Sequence, residues 1–133
     1  MARAATLKEL ARQRVRILFI ASAVEKWLGL DWLDLKHLFN ENEHGEDVLA
    51  QTVAKWQYRY AEITWNLYNV MMVEDETLYG TMIHEYIHVL LAPLDEHLPL
   101  TKPHVTKQNE FAVESVAQAL LHALRTPPPK ALG

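Results

Sequence analysis

Residues 77–91 read TLYGTMIHEYIHVLL, and how this stretch folds decides how the rest of the chain is read. The run Val73-Glu74-Asp75-Glu76-Thr77 brings acidic groups to where a helix N-terminus attracts them. A helix is therefore expected from about residue 76 to 91, closed by Pro93. At 100° per residue, Thr77, Gly80, Thr81, His88 and Leu91 fall within about 60° of His84. Leu78, Met82, Ile83, Tyr86, Ile87, Val89 and Leu90 fill most of the remaining girth. A helix apolar over that much of its surface lies between other layers. Its one polar stripe carries two imidazoles and must face something that satisfies them.

Zinc meets that need. Histidines at i and i+4 of one helix reach a single tetrahedral ion at about 2.0–2.1 Å, with the glutamate after the first histidine beside a water on that ion. The ion brings the water's pKa towards about 7; Glu85 takes its proton and later delivers it to the leaving group. Gly80, one turn before His84, leaves room on that side for substrate or a packed strand. Seven histidines in the chain make a chance His-x-x-x-His easier to meet, but the intervening glutamate and the buried helix narrow that reading.

A catalytic zinc takes three protein ligands. The segment NEFAVE (109–114) opens a helix expected over about 107–125, which Thr106 can cap. On its wheel Glu110, Val113, Glu114, Ala117, Leu120, Leu121 and Leu124 share one face. Two carboxylates heading a core-facing stripe ask for a cation, because a buried carboxylate without a partner is strongly destabilising. Glu110 stands 22 residues after His88 and Glu114 stands 26 after it. Either can be the third ligand by spacing. His97 and His104, in the proline-rich segment 93–104 expected to be a loop, are weaker candidates.

Upstream, Leu10, Ile17, Ile20, Val24 and Trp27 recur at three/four spacing, with Leu7 and Leu28 close to the stripe. They predict a helix over 3–28 that Gly29 stops. Residues 31–39 alternate as a strand does, and 40–47 read as a polar loop. Between 48 and 68 the apolar phase inverts at Tyr60–Ala61. One residue of slip turns both faces of a strand over, so the segment reads as two antiparallel strands, 48–56 and 60–68, with a turn or bulge near 57–61. The tryptophans at 27, 32, 56 and 65 read as packing anchors, and His37, His44 and His122 as surface or ordinary core residues. The expected architecture is α+β and a single domain over 1–126, with 127–133 a flexible tail.

With 133 residues, 50% of them hydrophobic and 23% charged, one domain with a real core is the natural unit. A net charge of -4 argues against an electrostatic nucleic-acid binder. Five of the thirteen basic residues (Arg3, Lys8, Arg12, Arg14, Arg16) lie in the first sixteen positions and read as a solvated helix face. The chain has no cysteine, which excludes a disulfide framework and a cysteine-ligated zinc ribbon. No apolar run approaches the ~18 residues of a membrane span. RVRILFIASA (14–23) imitates a signal peptide, but cutting after Ala23 would destroy the amphipathic repeat, so a cytoplasmic protein is expected rather than a secreted one.

His-Glu-x-x-His followed some twenty residues later by Asn109-Glu110-x-x-x-Glu114 resembles the thermolysin-type gluzincins. The resemblance implies that Glu110 is the third zinc ligand and that Glu114 hydrogen-bonds His84. The wider layout is similar to that of the minigluzincins and of metallopeptidases inferred in phage genomes. It implies a zincin-like fold: an N-terminal helix, a short antiparallel sheet of about three strands, the His-Glu-x-x-His helix and one ligand-bearing helix. For a phage protein the location would be the host cytoplasm. Val89-Leu90-Leu91 stands where several zincin families carry a glycine, and a Met-turn, a third histidine at metzincin spacing and a four-cysteine ribbon are all missing.

These readings lead to a zinc-dependent peptidase in which Glu85 is the catalytic base, His84, His88 and Glu110 hold one Zn2+, and Glu114 supports them. His104, Tyr79 and Tyr68 are candidate oxyanion donors. A substrate peptide is expected to pair with the strand near 62–67 as a sheet edge. The competing readings are a zinc-stabilised binding or regulatory module without turnover, and a metal-free protein. Glu85 separates the first two, since a purely structural zinc site has no use for it.

Overall fold

In a computed structural model of the chain, which describes residues 5–43 and 47–125, helix α1 spans Leu7–Leu28. Its start is four residues later than expected, because Thr6 caps it: the Thr6 hydroxyl accepts the Glu9 N–H at 3.1 Å. Gly29 ends it at φ 64°, ψ 43°, and the Leu30 N–H returns to the Glu25 carbonyl at 2.9 Å. That left-handed turn favours glycine. Leu10, Ile17, Ile20, Ala21 and Val24 are buried, so the segment that imitates a leader is the middle of a packed helix. Leu7 and Trp27 are not part of that buried stripe; they are 81% and 49% exposed. Arg16 belongs to no solvated face either. Its guanidinium donates to the Val70 and Val73 carbonyls at 3.0 and 2.7 Å and meets Asp75 at 2.6 Å, tying α1 to the start of the long helix that follows.

Strands β1 (Asp34–Asn40), β2 (Ala50–Lys55) and β3 (Tyr60–Asn66) form a mixed sheet in the order β1-β3-β2. The phase inversion in the sequence is a 3-10 turn at Trp56–Tyr58 followed by Arg59 at φ 55°. It lets Ala61, Ile63 and Trp65 reach the core. β2 and β3 pair antiparallel as expected, Thr52 lying opposite Ile63. β1 pairs parallel with β3, Leu35 lying opposite Ala61, so the sheet is not wholly antiparallel. Alternation reports a strand but neither its direction nor its neighbour. β2 lies on the far side of β3 from β1. As a result β3 is the central strand, and β2 is an edge.

The expected strand over 60–68 gives way at Leu67 to a short helix, α2 (Leu67–Met71). Helix α3 (Asp75–Asp95) follows, with Asp75 and Glu76 in its first turn. It runs through Pro93 rather than stopping there. A proline in the last turn removes one N–H, the Val89 carbonyl losing its usual partner, without ending the helix. Helix α4 (Pro103–Arg125) starts earlier than expected, with Pro103 at its first position. The Thr106 hydroxyl donates to the Leu100 carbonyl at 2.5 Å instead of capping. His104 thus sits on a helix, not in a loop.

The core gathers Ile17, Ile20 and Val24 of α1, Ile63 and Trp65 of β3, Leu67 and Val70 of α2, Leu78, Met82, Ile83 and Tyr86 of α3, and Val113 and Ala117 of α4. Trp65 is the one tryptophan fully inside; Trp32 is 54% exposed, and Trp56, 38% exposed, donates to Glu96 at 2.8 Å. At the back of α3 a polar chain crosses this core. Trp65 Nε1–H donates to His37 Nδ1 at 3.0 Å, which leaves Nε2–H of the neutral ring to donate to the Tyr86 hydroxyl at 3.1 Å. Tyr86 in turn hydrogen-bonds Glu25. No helix among the described residues is long and apolar enough to cross a membrane. His44 and the tail 127–133 lie outside the described residues.

Candidate metal centre

Helices α3 and α4 and the edge strand β2 enclose an open cleft of about 1130 Å³. His84 and His88 project into it from consecutive turns of α3, with their rings 4.9 Å apart. Glu110 reaches in from the first turns of α4. Its Oε2 lies 3.3 Å from His84 Nε2 and its Oε1 lies 3.2 Å from His88 Nε2. The two Nε2 atoms are 3.2 Å apart. These three side chains form a group able to hold a metal ion.

The spacing and the donors both fit a cation. Tetrahedral ligands about 2.0–2.1 Å from a shared ion stand about 3.3 Å from one another, which is the separation found. His84 Nδ1 lies 2.6 Å from Glu114 Oε2. Its proton is therefore committed to that carboxylate, and Nε2 of the neutral ring presents a lone pair. That lone pair faces a carboxylate oxygen. Two acceptors so placed need positive charge between them, either a proton on the imidazole or a metal. Two imidazoles and one carboxylate suit zinc, and also other divalent transition metals.

Glu110 belongs to the group able to hold a metal, whereas Glu114 lies against His84 Nδ1, outside that group. Gln118 donates to Glu114 Oε1 at 2.7 Å. That bond first, and the His84 contact second, hold the Glu114 carboxyl below its ordinary value. Both glutamates are 51% exposed at the side chain. Contrary to the expectation of buried carboxylates, they face the cleft, and what calls for a cation is the convergence of lone pairs, not desolvation. Gly80 lines the same wall. A Cβ there would meet Leu121 of α4 at 3.5 Å, an ordinary contact, so the element packed on this side is α4 rather than a strand, and a methyl would fit.

Glu85 is the buried acid of the site, 8% exposed at the foot of the cleft. Burial raises its pKa, while a hydrogen bond from the Thr52 hydroxyl and the nearby imidazoles oppose the shift. Asp95, near the C-terminal end of α3, also lines the cleft, and burial raises its carboxyl too. Thr52 was not foreseen. Its signal, a threonine on the inward phase of a strand, has meaning only once β2 is known to lie against α3. Asn66 was also missed. Its amide donates to the Val48 carbonyl at 2.7 Å and holds the entry to β2, which forms the cleft wall.

The remaining candidates lie elsewhere. Tyr79 stacks on Trp27 with ring centroids 5.6 Å apart. Tyr68 packs against the core from α2. His104 and His97 are exposed and, like the two tyrosines, do not line the cleft. The strand beside the ligands is β2, not the segment 62–67, which is the central strand. No family model matches the chain, and no curated protein or solved structure is significantly similar to it.

Proposed function

We propose that this chain is a small zinc-dependent peptidase of zincin-like architecture. The observation that carries the reading is the placement of a buried carboxylate, Glu85, beside three converging ligand atoms on the wall of an open cleft. A purely structural ion needs the ligands but not that carboxylate. His84, His88 and Glu110 hold the ion, and Glu114 fixes the His84 ring so that Nε2 faces the ion's position. When bound, the ion supplies Lewis acidity that acidifies water and polarises a carbonyl.

The chain's own residues do the rest. An extended peptide pairs with the open edge of β2, whose residues Ala50–Val53, with Val48 and Leu49 before them, line the cleft. Glu85 takes a proton from the water that adds to the scissile carbonyl carbon. It returns that proton to the amide nitrogen as the C–N bond breaks.

Glu85→Gln tests this directly. The variant is expected to bind one metal ion per chain, measured by elemental analysis, and to lose hydrolysis of a mixed peptide library by ~10²-fold or more. A wild-type protein that is metal-loaded yet cleaves none of the library would reject the peptidase and leave a metal-stabilised module.

A further inference from the structure

We infer that Thr52 is the positioning residue for Glu85, and so couples the peptide-docking strand to the catalytic base. The inference rests on the peptidase reading for its catalytic meaning, but not for its geometry. Thr52 lies on the inward phase of β2, opposite Ile63 of the central strand, and donates its hydroxyl proton to Glu85 Oε2. A carboxylate only accepts, so the donor must be the threonine.

The two oxygens of a glutamate exchange places by rotation about its last side-chain bond, which has a broad, roughly two-fold profile. A base whose oxygens wander meets its proton in the right geometry only part of the time. Pinning Oε2 removes that freedom and leaves Oε1 as the oxygen that accepts. The pin comes from outside the helix that carries the base and its imidazole neighbours. β2 is also the strand whose free edge a peptide would join, its other edge being taken by β3. One residue therefore belongs to both the docking strand and the alignment of the base. A peptide that settles the strand settles Glu85 with it.

Thr52→Val keeps the shape and the branched strand-forming side chain but loses the donor. Thr52→Ser keeps the donor. In the zinc-loaded protein, Thr52→Val is expected to lower kcat about 10- to 100-fold, with KM within about twofold and metal content unchanged. Thr52→Ser is expected to restore kcat to within about threefold of wild type. Carbon-13 NMR of the metal-free protein, labelled at glutamate carboxyls, supplies a readout independent of turnover. The Glu85 resonance, identified by its loss in Glu85→Gln, should move in Thr52→Val and stay near its wild-type position in Thr52→Ser. A kcat kept or raised in the valine variant, a loss that serine does not restore, or a Glu85 resonance indifferent to the valine change would overturn the inference. If the wild type cleaves no peptide, the peptidase reading fails by itself, and the carboxyl resonance still decides whether Thr52 holds Glu85.

Discussion

Returning zinc to metal-stripped protein should raise its melting temperature by about 10 °C. The perturbation acts at the seam between α3 and α4. Helix α4 buries Val113, Ala117 and Leu121, while Glu110 and Glu114, in its first half, stand half in solvent. Without a metal, only a proton can bridge the Glu110 oxygens and the His84 and His88 Nε2 atoms, 3.3 and 3.2 Å away across the α3–α4 seam. An ion that binds only the folded chain, at a free concentration 100 times its Kd, adds about 2.7 kcal/mol. For 133 residues, an unfolding entropy of roughly 2.1 cal/mol/K per residue amounts to about 0.28 kcal/mol/K, which converts that energy to the stated shift. The assay is thermal unfolding by circular dichroism after chelation and dialysis, with zinc added back in steps. Amide exchange in α4 should slow in parallel, more than in α1. A melting temperature that stays put while wild type takes up one equivalent of zinc would refute the reasoning. So would an equal shift in the His84→Ala/His88→Ala double variant.

Other consequences are open to measurement. Glu114→Ala should weaken zinc affinity by ~10- to 100-fold while leaving one ion per chain at saturation, because the His84 ring loses the partner that orients it; competition with a chromogenic chelator reads this. His37 should make the fold acid-sensitive. Burial lowers its pKa from 6.5 to about 4, so the unfolded chain takes up a proton on that ring before the folded chain does. The associated stability is complete above about pH 6.5, declines as pH falls towards 4 and then levels off, to a total of at most about 3 kcal/mol. Urea unfolding across that range should show the slope in wild type and a shallower one in His37→Gln; equal slopes would exclude His37 as its source. Gly80→Ala should stabilise by about 0.5–1 kcal/mol, since a methyl meets Leu121 at ordinary contact distance and glycine inside a helix is unfavourable. A destabilised variant in chemical denaturation would show that α4 sits closer than described.

The convergence of His84, His88, Glu110 and Glu114 was legible in the sequence because helical periodicity alone puts His84 over His88 and Glu110 over Glu114. Two helices that each present such a pair on one face need only dock to bring the four together, as they do here. The surrounding wall was not legible for the opposite reason. Thr52 and Glu85 are 33 residues apart on different elements, and no spacing rule links an edge strand to the helix beneath it. Strand order failed in the same way: alternation in 34–40 is equally compatible with a parallel or an antiparallel neighbour, and only the tertiary arrangement decides. Tryptophan misled because its size suggests burial, whereas three of the four lie at element ends or turns where one side of the ring stays wet.

Tyr86 stands between the two histidines in sequence but points to the other side of α3, where His37 and Glu25 grip its hydroxyl. The grip sets the roll of the helix about its own axis. A side-chain tip about 6 Å from that axis travels about 1 Å for a roll of 10°, several times the ~0.2 Å that a coordination bond tolerates. Tyr86, one of the two residues that the His-Glu-x-x-His pattern leaves unspecified, thus keeps both imidazoles aimed from the dry side of the helix, out of reach of anything they bind.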